Sequence, residues 1–396
     1  MKEISIKAAA VQASTTLAVD SMYKQMKANG INVVGFGTGE PDFDTPDNIK
    51  EAAHKAIKDG QTKYTPSSGM PGLRQAAANR LGADCGLDYD AGQIVVASGA
   101  KHSIYIALQT LINPGDEVIL PAPYWVTYAE AVKMAGGVPV AVYAPEAHGF
   151  KITKEQLSAS VTGKTKLFIM NNPSNPTGML YSADELRALA GVCVERDLYI
   201  LSDEVYYRLV YDGRQFTSFA ALGDEIKERT ILVNGVSKSY AMTGWRIGYT
   251  ASNATLAEVM GNYLSHSTSS PSTISQLAAA EALSGTQDGV AVMRDEFEKR
   301  RDYIVERVNS IEGVSCRKPE GAFYLMVNIE KLIGKKLGGM VIKDSDDFSL
   351  AFLESGLVAV VSCSGFGCEN FVRFTYAASM DAIKEGMDRL ERFVVG

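Results

Sequence analysis

Leu198-Tyr199-Ile200-Leu201-Ser202-Asp203-Glu204-Val205-Tyr206 is the stretch that decides the fold class of this chain. The unbroken apolar run Leu198–Leu201, closed by small and acidic residues, reads as a strand covered on both faces with a carboxylate at its carboxyl end. Runs of the same kind recur at Ile94–Ala97, Glu117–Leu120, Pro139–Tyr143, Lys166–Met170, Thr230–Val233 and Arg246–Thr250. Amphipathic stretches with legible ends lie between them. Thr45-Pro46 opens a helix that Gly60 stops, and Ser182 with Glu185 makes a capping box before a run of Leu and Ala. Strands alternating with helices predict an α/β protein whose sheet is largely parallel.

Beyond about residue 285 the texture changes. A long charged helix around Met293–Asn309 leads to strands at Ala322–Val327, Leu357–Val361 and Phe371–Tyr376, then to a closing helix ending near Phe393. The first 40 residues also stand apart, with a helix near Ser14–Ala28 and an extended stretch at Ile31–Val34. The expectation is a large unit, residues 45–285, and a smaller α/β unit formed by both chain ends, residues 1–44 and 286–396.

Composition narrows the function. Among 396 residues, 39 Lys+Arg stand against 46 Asp+Glu, a net charge of −7, which argues against a nucleic-acid or anionic-membrane surface. No apolar run approaches the roughly 20 residues of a membrane span. The N-terminus lacks the apolar stretch of a signal peptide, so a cytoplasmic location is expected. The five cysteines are scattered without a C-x-x-C pair, and with only four His no zinc cluster can be assembled, so no metal is expected. Two glycine motifs mislead. Gly35-Phe36-Gly37-Thr38-Gly39 is followed by Glu-Pro-Asp-Phe-Asp rather than a helix, so it is no dinucleotide fingerprint. Gly163-Lys164-Thr165 has Ser158 where a phosphate loop needs its first glycine.

Three segments follow predicted strands, where ligands collect in open α/β sheets. Ser98-Gly99-Ala100-Lys101-His102-Ser103 is a small-residue turn opening a helix, whose free N–H groups suit an anion. Asp203-Glu204-Val205-Tyr206 sets a carboxylate at a strand end, and Ser237-Lys238 precedes Arg246 by eight residues. Alone, these are a tight turn, a helix cap and a solvated lysine. Together they gather an anion site, an acid and an amine at one sheet edge.

Read with Asn172-Pro173-Ser174-Asn175-Pro176-Thr177-Gly178 and Met242-Thr243-Gly244-Trp245-Arg246-Ile247-Gly248, these segments resemble the class I aminotransferases, pyridoxal-phosphate enzymes of fold type I. Gly39–Pro46, Pro123-Tyr124-Trp125 and Val372-Arg373-Phe374 extend the match over nearly the whole chain, most similar to the bacterial aspartate and aspartate/prephenate branch. The resemblance implies a mostly parallel seven-stranded sheet flanked by helices. It also implies a homodimer with shared sites and pyridoxal 5′-phosphate as cofactor. It assigns Lys238 to hold the cofactor aldehyde and shuttle a proton, Asp203 to pair with the ring nitrogen, and Asn175 and Tyr206 to hydrogen-bond the ring oxygen. Trp125 stacks on the ring. Gly99, Ala100, Ser237 and Arg246 take the phosphate, with Tyr64 reaching it from the neighbouring subunit. Arg373 forks the substrate α-carboxylate beside the bare backbone of Gly39. Pro123 and Pro176 are expected to follow cis bonds.

Specificity lies at the distal end of the substrate. The matching positions for a distal carboxylate are Ser14 and Lys101, and a lysine ammonium is a suitable point charge for it. This implies transfer of the amino group of L-aspartate to 2-oxoglutarate. Thr16 and Lys101 also match positions associated with prephenate use. Aromatic or alanine preference, or a lyase or synthase reaction on the same scaffold, remain as alternatives. One departure stands out: Val361-Ser362-Cys363-Ser364-Gly365-Phe366-Gly367 replaces the usual Val-Pro-Gly followed by Phe-Gly. Loss of the proline predicts a loosened loop near the substrate entrance.

Overall fold

The computed structural model describes residues 3–9, 11 and 16–396. Seven strands make one sheet: β1 (Ile94–Ala97), β2 (Glu117–Ala122), β3 (Val138–Tyr143), β4 (Thr165–Asn171), β5 (Tyr199–Asp203), β6 (Thr230–Gly235) and β7 (Gly248–Ala251). Their spatial order is β1-β7-β6-β5-β4-β2-β3. All neighbours run parallel except β7, which is antiparallel to both β1 and β6. Every residue of β1, β6 and β7 is buried, which explains their lack of polar alternation. The edge strand β3 has exposed positions instead.

The helices start and stop where their end residues direct. Asp47–Lys58 follows Pro46, and Ala183–Glu195 begins with the reciprocal Ser182–Glu185 capping box. The predicted strand Arg246–Thr250 needs correction. Arg246 has φ +58°, outside the extended region, and β7 begins only at Gly248. At the first position of β7 a Cβ on Gly248 would lie 2.2 Å from the Ala100 nitrogen, so only glycine lets the strand pass the helix start there.

A second, antiparallel sheet comprises β8 (Ser315–Cys316), β9 (Tyr324–Asn328), β10 (Val361–Ser362) and β11 (Phe371–Thr375), in the order β10-β11-β9-β8. The predicted single strand Leu357–Val361 divides between two partners. Val358–Ala359 pairs in parallel with Val34–Gly35, whereas Val361–Ser362 joins β11. Met22, Tyr23 and Met26 pack against Val33, Leu353 and Ala359, so the early chain lies on the late chain. Helices Asp288–Ser310 and Met380–Val395 lie in contact with each other. The Ala122–Pro123 and Asn175–Pro176 bonds are cis as expected, and Asn172–Pro173 is cis as well. Among the described residues no helix is long and apolar enough to cross a membrane.

Candidate active site

A cavity of about 630 Å³ opens where β4, β5 and β6 end and is walled opposite by β9, β10 and β11. Parallel strands deliver their carboxyl ends to one edge, so residues distant in sequence meet there. Asn171 and Asp203 are register partners at the ends of β4 and β5.

Asp203 is buried. Its Oδ2 accepts the Tyr128 hydroxyl at 2.6 Å and its Oδ1 the Val205 N–H at 3.3 Å. Loss of water outweighs these bonds and the nearby Lys238 ammonium, and the carboxyl is pushed up to about 6. Asn171 braces the same edge, donating to the Asp203 carbonyl at 2.9 Å and accepting the Asn175 N–H at 2.7 Å. Tyr128 was not singled out from the sequence, because an aromatic in a helix carries no signal that separates it from core.

Lys238 follows β6, and its ammonium donates to the Gly39 carbonyl. The rings of Phe323 and Tyr206 lie 5.7 and 5.9 Å from Nζ. Desolvation is the largest influence on this amine. Glu40 and Asp203 oppose it, Arg373 and Arg246 reinforce it, and the pKa falls to about 8. An amine in that range is partly neutral at working pH and can act as nucleophile and base. A Cβ at residue 39 would lie 2.6 Å from the Tyr324 hydroxyl oxygen, so the glycine permits this approach. Tyr324 was also missed in the sequence. Its hydroxyl pairs with that of Tyr206 at 2.9 Å, and burial with this pairing keeps the Tyr206 phenol well above its ordinary pKa.

An anion cradle lies beside the amine. Helix Ala100–Leu111 starts after Gly99, which has φ +90°. A side chain at Gly99 would meet Arg246, its Cβ falling 2.4 Å from Nη2. The Arg246 guanidinium bonds the Thr243 carbonyl at 2.8 Å and the Ser98 carbonyl at 3.4 Å, and Ser237 lines the same space. Cationic side chain and free helix N–H groups converge there.

Arg373 rises from β11 on the opposite wall. Nη1 donates to Asn175 Oδ1 at 3.0 Å and Nη2 to the Gly37 carbonyl at 2.8 Å, while Nε has no partner among the described residues. The guanidinium is flanked by the rings of Tyr324 and Phe366, at 4.5 and 5.2 Å. A buried cation with a spare donor facing a cavity suits an anionic ligand.

Trp125 lines the mouth, with the Lys101 ammonium 4.9 Å from its ring. Burial, then Arg246, lowers the Lys101 pKa. Thr16 opens helix Thr16–Ala28, and Ser14 lies outside the described residues. Tyr64 is not brought to the cavity: it stands 98% exposed.

Residues 31–390 match the sequence model of the aminotransferase class I and II family, and the chain belongs to that family. Within it, the chain is 48% identical over 381 residues to the aspartate aminotransferase of Bacillus sp. strain YM-2, covering 96% of each. It is 46% identical over 390 residues to the aspartate/prephenate aminotransferase of Cereibacter sphaeroides, covering 98% of each. Solved structures agree in fold. The aspartate aminotransferase of Rhizobium meliloti superposes with a TM-score of 0.96 at 40% identity, covering 100% of this chain and 99% of that one. That of Thermus thermophilus with maleate gives 0.93 at 36%, covering 99% and 100%.

Proposed function

We propose that this protein is a pyridoxal-phosphate-dependent aminotransferase that moves the amino group of L-aspartate to 2-oxoglutarate, giving oxaloacetate and L-glutamate. The observation that carries the reading is the pairing, in one cavity, of the Lys238 amine at a pKa of about 8 with the buried Arg373 guanidinium. The residues present fit the cofactor. The missing Cβ of Gly99 lets the Arg246 guanidinium lie against the helix start, where with Ala100 and Ser237 it makes a cradle suited to a phosphate, and Asp203 is a buried acceptor for a cationic ring nitrogen. When bound, pyridoxal phosphate supplies an aldehyde that takes the amino group and a ring that accepts the electron pair released at Cα.

The protein's own groups do the rest. Lys238 would hold the aldehyde, and its amine, shifted to about 8, is suited to hold and move the proton of the substrate Cα. Asp203 favours the charged ring, while Asn175 and Tyr206 serve the ring oxygen and Trp125 one ring face. Arg373 grips the α-carboxylate. Lys101, with Ser14, meets the distal carboxylate, in keeping with the dicarboxylate maleate in the Thermus relative. The aspartate/prephenate relative supports prephenate as a further amino-group acceptor, with Thr16 and Lys101 as the residues concerned.

The same reading assigns the phosphate contact of Tyr64 to a second copy of the chain in a homodimer, and this side chain is exposed as such a role requires. It divides the chain into units 45–285 and 1–44 with 286–396, the smaller closing on the substrate. It locates the enzyme in the cytoplasm, in keeping with five free cysteines. The test is spectroscopic. The visible absorbance of the cofactor-loaded protein should bleach with L-aspartate and return with 2-oxoglutarate. Bleaching only with L-alanine or L-tyrosine would overturn the specificity, and no bleaching with any of them would overturn the aminotransferase reading.

A further inference from the structure

The segment Val361–Gly367 lacks the expected proline, yet it is not loose. Ser345 and Ser362 hydroxyl oxygens lie 2.8 Å apart, Ser362 donates to Ser364 Oγ at 3.1 Å, and Ser364 Oγ donates to the Asp346 carboxylate, 3.1 Å from each oxygen. The Ser364 N–H also donates to Ser362 Oγ, at 3.3 Å. A carboxylate only accepts, so the proton order is settled: Ser364 to Asp346, Ser362 to Ser364, and Ser345 to Ser362. Ser345 and Ser362 are buried, where such a directed chain is strengthened by its own polarisation. Its anionic end sits in the first turn of helix Ser345–Gly356, where negative charge is favoured.

This relay anchors a segment with two consequential contacts. Phe366 lays its ring 5.2 Å from the Arg373 guanidinium, and its carbonyl accepts the Tyr124 N–H at 3.0 Å, next to Trp125. Val361 stands opposite Arg373 in the β10–β11 register. The segment therefore covers one face of Arg373 and bridges the second sheet to the Trp125 loop.

We propose that Ser345, Ser362, Ser364 and Asp346 form a positioning relay that holds Phe366 against Arg373 and thereby sets the affinity for the substrate carboxylate. The proposal rests on the reading of Arg373 as the carboxylate fork. It takes over by hydrogen bonding the stiffening that proline supplies through a fixed φ.

The experiment uses the cofactor-loaded enzyme with Ser364→Ala, Asp346→Ala, their combination and Ser364→Thr. Steady-state kinetics with L-aspartate and 2-oxoglutarate are paired with calorimetric binding of succinate, an unreactive dicarboxylate, and with the affinity for pyridoxal phosphate. The two single variants should raise both KM values and the succinate Kd about threefold to tenfold, the loss expected for one charge-anchored bond, with kcat and cofactor affinity held within about twofold. The combined variant should be no worse than either single one, because both break the same chain, and Ser364→Thr should restore the parent values. Unchanged KM and Kd in folded variants would overturn the relay. A parallel fall of kcat, cofactor affinity and melting temperature would overturn it too, as general damage. If the parent enzyme itself neither binds succinate nor turns over aspartate, the underlying functional reading fails instead.

Discussion

The floor and the mouth of the cavity are built on different principles. The floor is made of strand ends and of residues that follow them directly, and its ionisable groups are buried: Asp203 is raised to about 6 and Lys238 lowered to about 8. The mouth is made of helix starts and loops, with Lys101 on Trp125 and the hydroxyl-tied segment 361–367. A rigid floor with shifted pKa values suits chemistry common to a whole family, because loss of water holds an amine and an acid near neutrality. A mouth of side chains on loops suits the choice among substrates. Arg373 joins the two, anchored in a strand but gripped by Phe366 from a loop.

Mutations should separate these regions by the parameter they change. Lys238→Ala should lower turnover by about 10⁴-fold or more, removing both nucleophile and proton carrier, and mass spectrometry should find the cofactor bound without covalent attachment. Normal turnover would end the assignment of the floor. Arg373→Lys should raise KM for amino acid and keto acid together by roughly 10- to 100-fold, because an ammonium cannot replace a bidentate fork worth about 1.5–3 kcal/mol. A loss confined to kcat would move Arg373 from the boundary to the floor. Lys101→Ala should raise KM for aspartate about tenfold while leaving kcat/KM for L-alanine unchanged, measured by comparing kcat/KM for the two. An equal loss for both would show that Lys101 does not discriminate.

The last effect is on stability rather than turnover. Glu204 is completely buried beside Asp203. Its Oε1 accepts from Ser202, Ser218 and the Phe219 N–H at 2.8, 2.9 and 3.0 Å, while Oε2 has no partner among the described residues. Desolvation raises its pKa to about 7 despite those bonds. Folding therefore takes up a proton between the ordinary value of 4.5 and about 7, so this group lowers stability as pH rises through that window and adds no further slope above it. Glu204→Gln should flatten the dependence there, by at most ~3 kcal/mol across the window. Denaturant unfolding of the cofactor-free protein at pH 5 and pH 7 measures it. An unchanged slope would mean that water reaches Glu204 and that the floor is wetter than its burial indicates.

Much of the floor is legible in the sequence alone. Burial on both faces leaves unbroken apolar runs, and polar residues that line the cavity break those runs at their carboxyl ends. Asp203, Lys238 and the turn at Gly99 stand out for that reason. Arg246 reads as strand in the sequence because its left-handed φ leaves no mark in composition. Leu357–Val361 reads as one strand because nothing in five apolar residues says that two partners will share them. The looseness expected of residues 361–367 follows from the missing proline, and Ser362 and Ser364 carry no signal of compensation until the fold brings Ser345 and Asp346 beside them.

The sequence by itself determined the alternation of strand and helix, the caps, and the residue types that could hold an anion, an acid and an amine at one sheet edge. These depend on local periodicity and on side-chain chemistry. Only the tertiary structure decided that Tyr128 would meet Asp203, that Tyr324 would close on Tyr206 and Gly39, and that a chain of serines would steady the loop over Arg373. Hydrogen bonds are directional and short-ranged, so pairs 75 or 118 residues apart are chosen by where the packed backbone sets them down.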